Sequence, residues 1–419
     1  MRVTAIVLVL CSTSPLALAQ TYLPPTSPVS PGNQLTLGSR PAPPPHSFSP
    51  KRVPKFQIVD KLVHQDDFWG NMLVGDANHN GLQEIVIRYV PVGGGQNQIQ
   101  FHEDDGTGQF NLVYQFDLDD GGLLALGDVD NDGFSDLFYE RALGWCDHEF
   151  VRRESSRPAG FPDHEVWTAA KEGNVVDFNG TIADSDGDGL LELIVSDSDF
   201  FCVPSQLKVF ESAPFDQMRL TYHYTVGGYP GNPVVADFDQ DQRSEIAIAF
   251  GVEGKILLFE CTGDNSYEEV YQETHPEFNA YILGVIDKES PDGRPMLFLA
   301  GQSPGYCVVV YESLSDNTIS RIQTVPVPSY CGTSISQMVV ADVLGDDVPE
   351  ILLDRLCGPV PVFWVRPGGN LTLVDMPIID GSLEITATRK SASYSGAIAL
   401  GMYPGGSNPE GLTWVLELR

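Results

Sequence analysis

An acidic motif recurs along this chain at nearly constant intervals, and that recurrence restricts the fold more than any other feature. GDANHNGLQEIVI begins at Gly75, GDVDNDGFSDLFY at Gly127, ADSDGDGLLELIV at Ala183 and ADFDQDQRSEIAI at Ala236. Two degraded copies follow, IDKESPDGRPMLFL from Ile286 and ADVLGDDVPEILL from Ala341. The leading aspartates are Asp76, Asp128, Asp184, Asp237, Asp287 and Asp342, a period of about 50 to 56 residues, which is the range of propeller blades. In the third copy Asp184, Asp186 and Asp188 alternate, then come Gly189 and Glu192. Carboxylates crowded in this way repel one another unless a cation sits among them. Hard oxygen donors at this spacing suit Ca²⁺, which accepts a flexible cage of about six to eight oxygens.

Short apolar runs flank each copy, for example Met338-Val339-Val340 before and Ile351-Leu352-Leu353 after the last. Runs this short, β-branched and joined by a tight Gly-containing loop, predict β-hairpins rather than helices. Two more strand-like segments follow each hairpin, QLKVFES and RLTYHYTV after the third copy and KILLFE and YEEVYQE after the fourth. Four strands per repeat make one blade. The tail supplies a further unit without acids: Leu383 to Thr388 and Ala397 to Tyr403 as a hairpin, then GLTWVLELR. Lys55 to Val63 is a lone strand at the other end. The expected architecture is therefore an all-β, seven-bladed propeller of four-stranded blades over residues 55–419. Its ring closes by pairing the N-terminal strand with the C-terminal strands in the last blade, so that no edge stays open.

The copies resemble FG-GAP/VCBS repeats, the blades of integrin alpha-subunit propellers and of many secreted bacterial proteins. In that family D-x-[DN]-x-D-G-x-x-[DE] joins the first two strands of a blade and holds one structural Ca²⁺. The ligands are the side chains at positions 1, 3, 5 and 9 and the carbonyl at 7. The resemblance implies ligand sets of Asp76, Asn78, Asn80, Leu82 and Glu84; Asp128, Asp130, Asp132, Phe134 and Asp136; Asp184, Asp186, Asp188, Leu190 and Glu192; and Asp237, Asp239, Asp241, Arg243 and Glu245. Two to four sites are expected. The first copy offers two neutral amides and should bind more weakly, and in the fourth Gln242 replaces the glycine of the turn. The copies at Asp287 and Asp342 are expected to be empty, since Met296 and Leu344 fall in or near ligand slots. An EF-hand would need a Glu at position 12 and flanking helices. That position holds Ile87, Tyr139, Val195 or Ile248.

The first residues form an export signal over 1–19: Arg2, an apolar run from Val3 to Leu10, and Ala17-Leu18-Ala19 ahead of Gln20. The run is too short to span a bilayer, and no later segment is long and apolar enough to do so. Residues 20–54, dense in Pro and Ser, read as a disordered spacer. A net charge of −33 argues against nucleic acid or an anionic membrane as partner. Removing the signal leaves Cys146, Cys202, Cys261, Cys307, Cys331 and Cys357, read as disulfide-forming in an exported chain. A Cys331–Cys357 bridge is the first expectation. Asn179-Gly-Thr181 and Asn370-Leu-Thr372 are glycosylation sequons, meaningful in a eukaryotic host.

With the metal loops on one face, the other face is expected to carry Trp69, Trp145, Phe200, Phe201, Tyr229, Tyr306 and Tyr330. Such aromatics suit a glycan or protein ligand. In a long excursion from Gly144 to Trp167, Asp147-His148-Glu149 and Asp163-His164-Glu165 read as the polar starts of strands, although an acid–base site could be built from them. The functional expectation is a non-catalytic, exported, Ca²⁺-binding propeller that presents a binding face. The alternative is a propeller-fold polysaccharide lyase or hydrolase with its site at the central funnel.

Overall fold

Alternation of buried and exposed positions distinguishes the strands of each repeat. The computed structural model describes residues 56–64, 72–89, 91, 96–106, 109–119, 121–144, 147–172, 179–197, 206–225, 230–250, 254–274, 279–286, 295–303, 305–327, 338–342, 349–353, 361–365, 370–375, 382–387, 397–402 and 411–418. The expected signal and spacer lie outside these. All described residues belong to one unit, Arg52–Arg419.

The strands in chain order are β1 (Phe56–His64); β2 (Leu73–Gly75), β3 (Glu84–Tyr89), β4 (Asn97–Asp104) and β5 (Phe110–Leu118); β6 (Leu123–Gly127), β7 (Asp136–Ala142), β8 (Asp147–Glu154) and β9 (His164–Glu172); β10 (Asn179–Ala183), β11 (Glu192–Asp197), β12 (Gln206–Ala213) and β13 (Gln217–Thr225). Then come β14 (Val234–Ala236), β15 (Glu245–Phe250), β16 (Lys255–Gly263) and β17 (Ser266–Thr274); β18 (Asn279–Ile286), β19 (Met296–Ser303), β20 (Gly305–Ser315) and β21 (Thr318–Pro326); β22 (Met338–Ala341), β23 (Glu350–Leu353), β24 (Val362–Val365) and β25 (Leu371–Asp375); and finally β26 (Ser382–Ala387), β27 (Ala397–Met402) and β28 (Gly411–Leu418).

The fold is an all-β propeller of four-stranded antiparallel blades. Six blades consist of four consecutive strands each, β2–β5, β6–β9, β10–β13, β14–β17, β18–β21 and β22–β25, called the first to sixth below. Seven blades are expected from the sequence, the last of them without an acidic loop and built from both chain ends; the structure has six blades of consecutive strands and, apart from them, one further four-stranded sheet. That sheet has the order β1-β28-β27-β26, drawing on both ends of the chain, and β1 pairs antiparallel with β28 from Phe56↔Leu418 to His64↔Gly411. First strands lie side by side: β2 beside β6, β6 beside β10, β14 beside β18, β18 beside β22, β22 beside β26, and β26 beside β2.

The core lies between blades. One cluster joins Ala247, Leu258 and Phe238 of the fourth blade to Leu297, Leu299 and Val309 of the fifth. Another joins Phe138 and Phe150 of the second to Leu193, Val195 and Phe210 of the third. Second and third strands are covered on both faces, so β15 (EIAIAF) is buried throughout and reads as a continuous apolar run. The outer strands β13 and β17 alternate, with polar residues toward solvent. Each of the six blades carries a register shift between its third and fourth strands, at Phe101/His102, Arg152/Arg153, Val209/Phe210, Leu258/Phe259, Val310/Tyr311 and Val362/Phe363. A bulge repeated at one place adds twist to every blade alike.

Candidate metal centre

The acidic motifs occupy the junction of the first two strands, held by one repeated pairing. Gly75 faces Glu84, Gly127 faces Asp136, Ala183 faces Glu192, Ala236 faces Glu245 and Ala341 faces Glu350. The residue before the loop is small because the next blade packs there. A Cβ on Gly75 would stand 3.0 Å from Leu126 Cδ2, and one on Gly127 3.2 Å from Ile182 Cδ1. The would-be EF-hand position 12 residues Ile87, Tyr139, Val195 and Ile248 all lie in strands.

The leading aspartate organises each loop by accepting backbone N–H groups. Oδ2 of Asp76, Asp128, Asp184 and Asp237 accepts from Gly81 (2.8 Å), Gly133 (2.9 Å), Gly189 (3.2 Å) and Gln242 (3.0 Å). That donor residue is left-handed in every loop, with φ of 87°, 91°, 91° and 79°. Gln242 therefore adopts the turn expected of glycine, and the fourth loop keeps the geometry of the others despite its substitution. The fourth position is left-handed too, in His79, Asn131, Gly187 and Gln240.

Position 9 enters the loop from below. Glu84, Glu192 and Glu245 are buried, and Oε2 of each accepts the backbone N–H of position 2, from Ala77 (2.5 Å), Ser185 (2.6 Å) and Phe238 (2.7 Å). Oε1 of each is buried and has no hydrogen-bond partner. Buried carboxylate oxygens ordinarily find a donor or a cation, so an orphaned one inside an acidic loop marks a cation position. In the third loop, carboxylate oxygens of Asp184, Asp186, Asp188 and Glu192 all lie within 4.8 Å of one another, and Asp237, Asp239, Asp241 and Glu245 do so in the fourth. Burial, with the charges of Asp186 and Asp184 adding to it, pushes Glu192 up to about 7 against the pull of its hydrogen bonds from Ser185. Burial likewise pushes Glu245 up to about 8. A divalent ion would reverse both shifts. The donor chemistry fits Ca²⁺, with the carbonyls of Leu190 and Arg243 as the expected fifth protein donors.

The first loop brings Asp76, Asn78, Asn80 and Glu84 together but turns its amides elsewhere. Nδ2 of Asn78 and of Asn80 donates to Oε2 of Glu103 at 2.8 and 2.7 Å. Burial, and then the carboxyl of Glu103 beside it, pushes Glu84 up to about 9. In the second loop Asp128, Asp130 and Asp136 cluster, but a guanidinium reaches them: Arg152 donates from Nε to Asp136 Oδ1 (2.7 Å) and from NH2 to Asp130 Oδ2 (2.6 Å). Of the copies at Asp287 and Asp342, residues 287–294 and 343–348 lie outside the described residues.

Sequence reasoning missed a carboxylate on the third strand. Glu103, Glu154, Glu211 and Glu260 pair in register with position 9 of their own loop, and Glu312 pairs with Met296. A signal was present, in FHE, RRE, VFE, LFE and VYE at matching points of the five repeats. Arg219 bonds Glu211, and Arg243 bonds Glu260 at 2.6 Å.

Of the aromatics assigned to the opposite face, Tyr306 alone is described, and it packs against the cluster of Phe298, Val308 and Phe363. Trp69, Trp145, Phe200, Phe201, Tyr229 and Tyr330 lie outside the described residues. So do Cys146, Cys202, Cys331 and Cys357. Cys261 and Cys307 are buried free thiols, so the expected disulfides are not shown among the described residues. The acidic triplets do begin strands, β8 at Asp147 and β9 at His164. Glu149 and Glu165 converge on Arg141, at 2.6 and 2.8 Å. The histidines do not join them: His148 pairs with Glu140 and His164 with Asp163, both at 3.2 Å.

No protein-family model matches the chain. No curated protein matches it in sequence. Solved structures do match. The periplasmic gluconolactonase PpgL of Pseudomonas aeruginosa is similar at 13% identity and a TM-score of 0.56, over 81% of this chain and 99% of that one. BBS1N, solved in complex with ARL6DN and soaked with lead, is similar at 12% identity and a TM-score of 0.55, over 87% and 97%. The likeness is one of fold. At such identities it carries neither activity nor partner. Among the described residues, no helix is long and apolar enough to cross a membrane.

Proposed function

We propose that this chain is an exported, calcium-stabilised propeller of the FG-GAP/VCBS kind that presents a binding face to a protein or glycan. In this reading the sheet of β1 and β26–β28 serves as a seventh blade and closes the ring. Ions sit in the third loop (Asp184, Asp186, Asp188, Glu192) and the fourth (Asp237, Asp239, Asp241, Glu245), and more weakly in the first (Asp76, Asn78, Asn80, Glu84). The observation that carries the reading is the orphaned, buried Oε1 of Glu192 and of Glu245, each among three aspartates. Ca²⁺ bound there cross-links the hairpin of a blade and neutralises part of a large negative charge. Its role in this reading is structural.

The export motif at the N-terminus supports an extracellular or periplasmic location. A second reading, a propeller carbohydrate-active enzyme, draws support from the fold shared with the periplasmic gluconolactonase. One preparation tests both: calcium-loaded protein is applied to a glycan array and to polysaccharide and lactone substrates. Saturable binding without turnover is expected. Turnover that survives purification to homogeneity would overturn the non-catalytic reading.

A further inference from the structure

We infer that the second loop takes no divalent ion, because Arg152 is a cation built into the chain at the place where the other loops would hold calcium. This deepens the metal reading above and rests on it. Three coordinated differences separate the second blade from its neighbours.

The first is the arginine itself. Arg152 faces Phe138 in register, and the residues at the equivalent position of the first, third, fourth and fifth blades are Phe101, Val209, Leu258 and Val310, facing Val86, Ile194, Ala247 and Phe298. All four are apolar and buried. Arg152 is fully buried as well, at 0% exposure. A buried guanidinium at an apolar position persists only when anions surround it. Here they are Asp136, Asp130 and, at 3.3 Å, Glu154.

The second difference lies at position 9. It is Asp136, where the first, third, fourth and sixth repeats have Glu84, Glu192, Glu245 and Glu350. A side chain one methylene shorter leaves room for the planar guanidinium. Asp136 still accepts the N–H of Val129 through Oδ2, at 2.8 Å, while Oδ1 goes to Arg152. The oxygen orphaned in Glu192 and Glu245 is therefore satisfied here by a charge of the chain's own.

The third is the partner of position 3. Oδ2 of Asp186 and of Asp239 accepts a backbone N–H from the next blade, whereas Oδ2 of Asp130 accepts from Arg152 of its own blade. Both oxygens of Asp136 are thus engaged, and Asp130 is held through Oδ2, its Oδ1 staying buried without a partner; the charge of the guanidinium beside them repels an incoming cation. The second blade keeps the loop without depending on calcium.

Calcium counted by native mass spectrometry and calorimetry on the full, chelator-stripped and reloaded chain tests the inference. Asp186→Asn and Asp239→Asn should each weaken one site more than tenfold, so that it empties at sub-saturating calcium, and Asp130→Asn should empty none. Arg152→Met should gain one ion and make melting more calcium-dependent. Loss of one ion in Asp130→Asn, or no gain in Arg152→Met, overturns the inference while leaving the third and fourth sites intact. Should Arg152→Met fail to fold, the Asp130→Asn arm decides. A native chain that binds no calcium overturns the metal reading and this inference together.

Discussion

Asn265, at the tip of the outer hairpin of the fourth blade, donates its backbone N–H to Oδ2 of Asp186 in the loop of the third, at 2.7 Å. Asn317 of the fifth blade makes the same bond to Asp239 of the fourth, at 2.6 Å. Both asparagines are left-handed, with φ of 56° and 55°, which aims the N–H across the seam. Position 3 of these loops therefore serves as an expected ion ligand and as a latch between blades. Two substitutions separate the roles. Asp186→Asn keeps an acceptor for Asn265 and loses the charge, so melting in chelator should stay within about a degree of native or rise, while calcium affinity falls more than tenfold. Asp186→Ala loses both, and the unpaired N–H of Asn265 costs about 1–3 kcal/mol in chelator as well. Thermal melts with and without calcium read the difference. Equal behaviour of the two variants in chelator would remove the latch.

Metal removal has its own expected outcome. An ion present at about a hundredfold over its dissociation constant stabilises the native state by about 2.7 kcal/mol per site. Chelation should thus lower the melting temperature, and Asp186→Ala should lower it further than Leu344→Ala, a residue that stands at a ligand position of a degraded copy in the sequence alone. A melting curve indifferent to chelator would count against every metal assignment.

The parts legible before any coordinates were those encoded at short range. The loop residues from Asp76 to Glu84 and their counterparts lie within nine positions, and the strands on either side follow from the apolar runs that flank them. Relations set by sheet register were hidden. Glu211 stands nineteen residues after Glu192 and becomes its cross-strand partner through pairing of β11 with β12 alone. The Asn265–Asp186 contact spans 79 residues and two blades. Arg152 is one of two adjacent basic residues, and strand alternation with Arg153 decides which enters the loop. The free state of Cys261 likewise follows from its place beside the third loop, where its Sγ donates to the carbonyl of Asp186 at 3.5 Å.

Gln242 carries a cost that its neighbours avoid. At φ 79° a residue with a Cβ is strained by about 1–3 kcal/mol, offset in a glycine variant by about 0.5–1 kcal/mol of extra freedom in the unfolded chain. Gln242→Gly should therefore stabilise the protein by about 1 kcal/mol. The reverse experiment, Gly189→Ala, should destabilise by about 1–2 kcal/mol, through the backbone alone, since a Cβ there would meet no atom within 4 Å. Denaturant titration of both variants in saturating calcium checks the pair. A destabilised Gln242→Gly would show that the glutamine earns its place by a contact outside the loop.

The pH response of the metal-free protein has a definite sign. Glu192 is pushed from the ordinary 4.5 up to about 7, by burial first and then by the nearby Asp186 and Asp184. Glu245 is pushed up to about 8, by burial first and then by Asp239, Asp237 and Asp241. A folded-state value above the unfolded one means that the folded chain holds more protons, so stability contributed by these groups falls as pH rises between about 4.5 and 8. In chelator the melting temperature should drop across that window. Calcium displaces the same protons, so its apparent affinity should climb toward pH 8, and loading near pH 7 should release protons into the buffer. Glu192→Gln and Glu245→Gln remove the titrating groups and should flatten the chelator curve in proportion. A metal-free melting temperature that rises from pH 5 to 8, with the two variants tracking it, would mean that these carboxylates are ionised before any ion arrives.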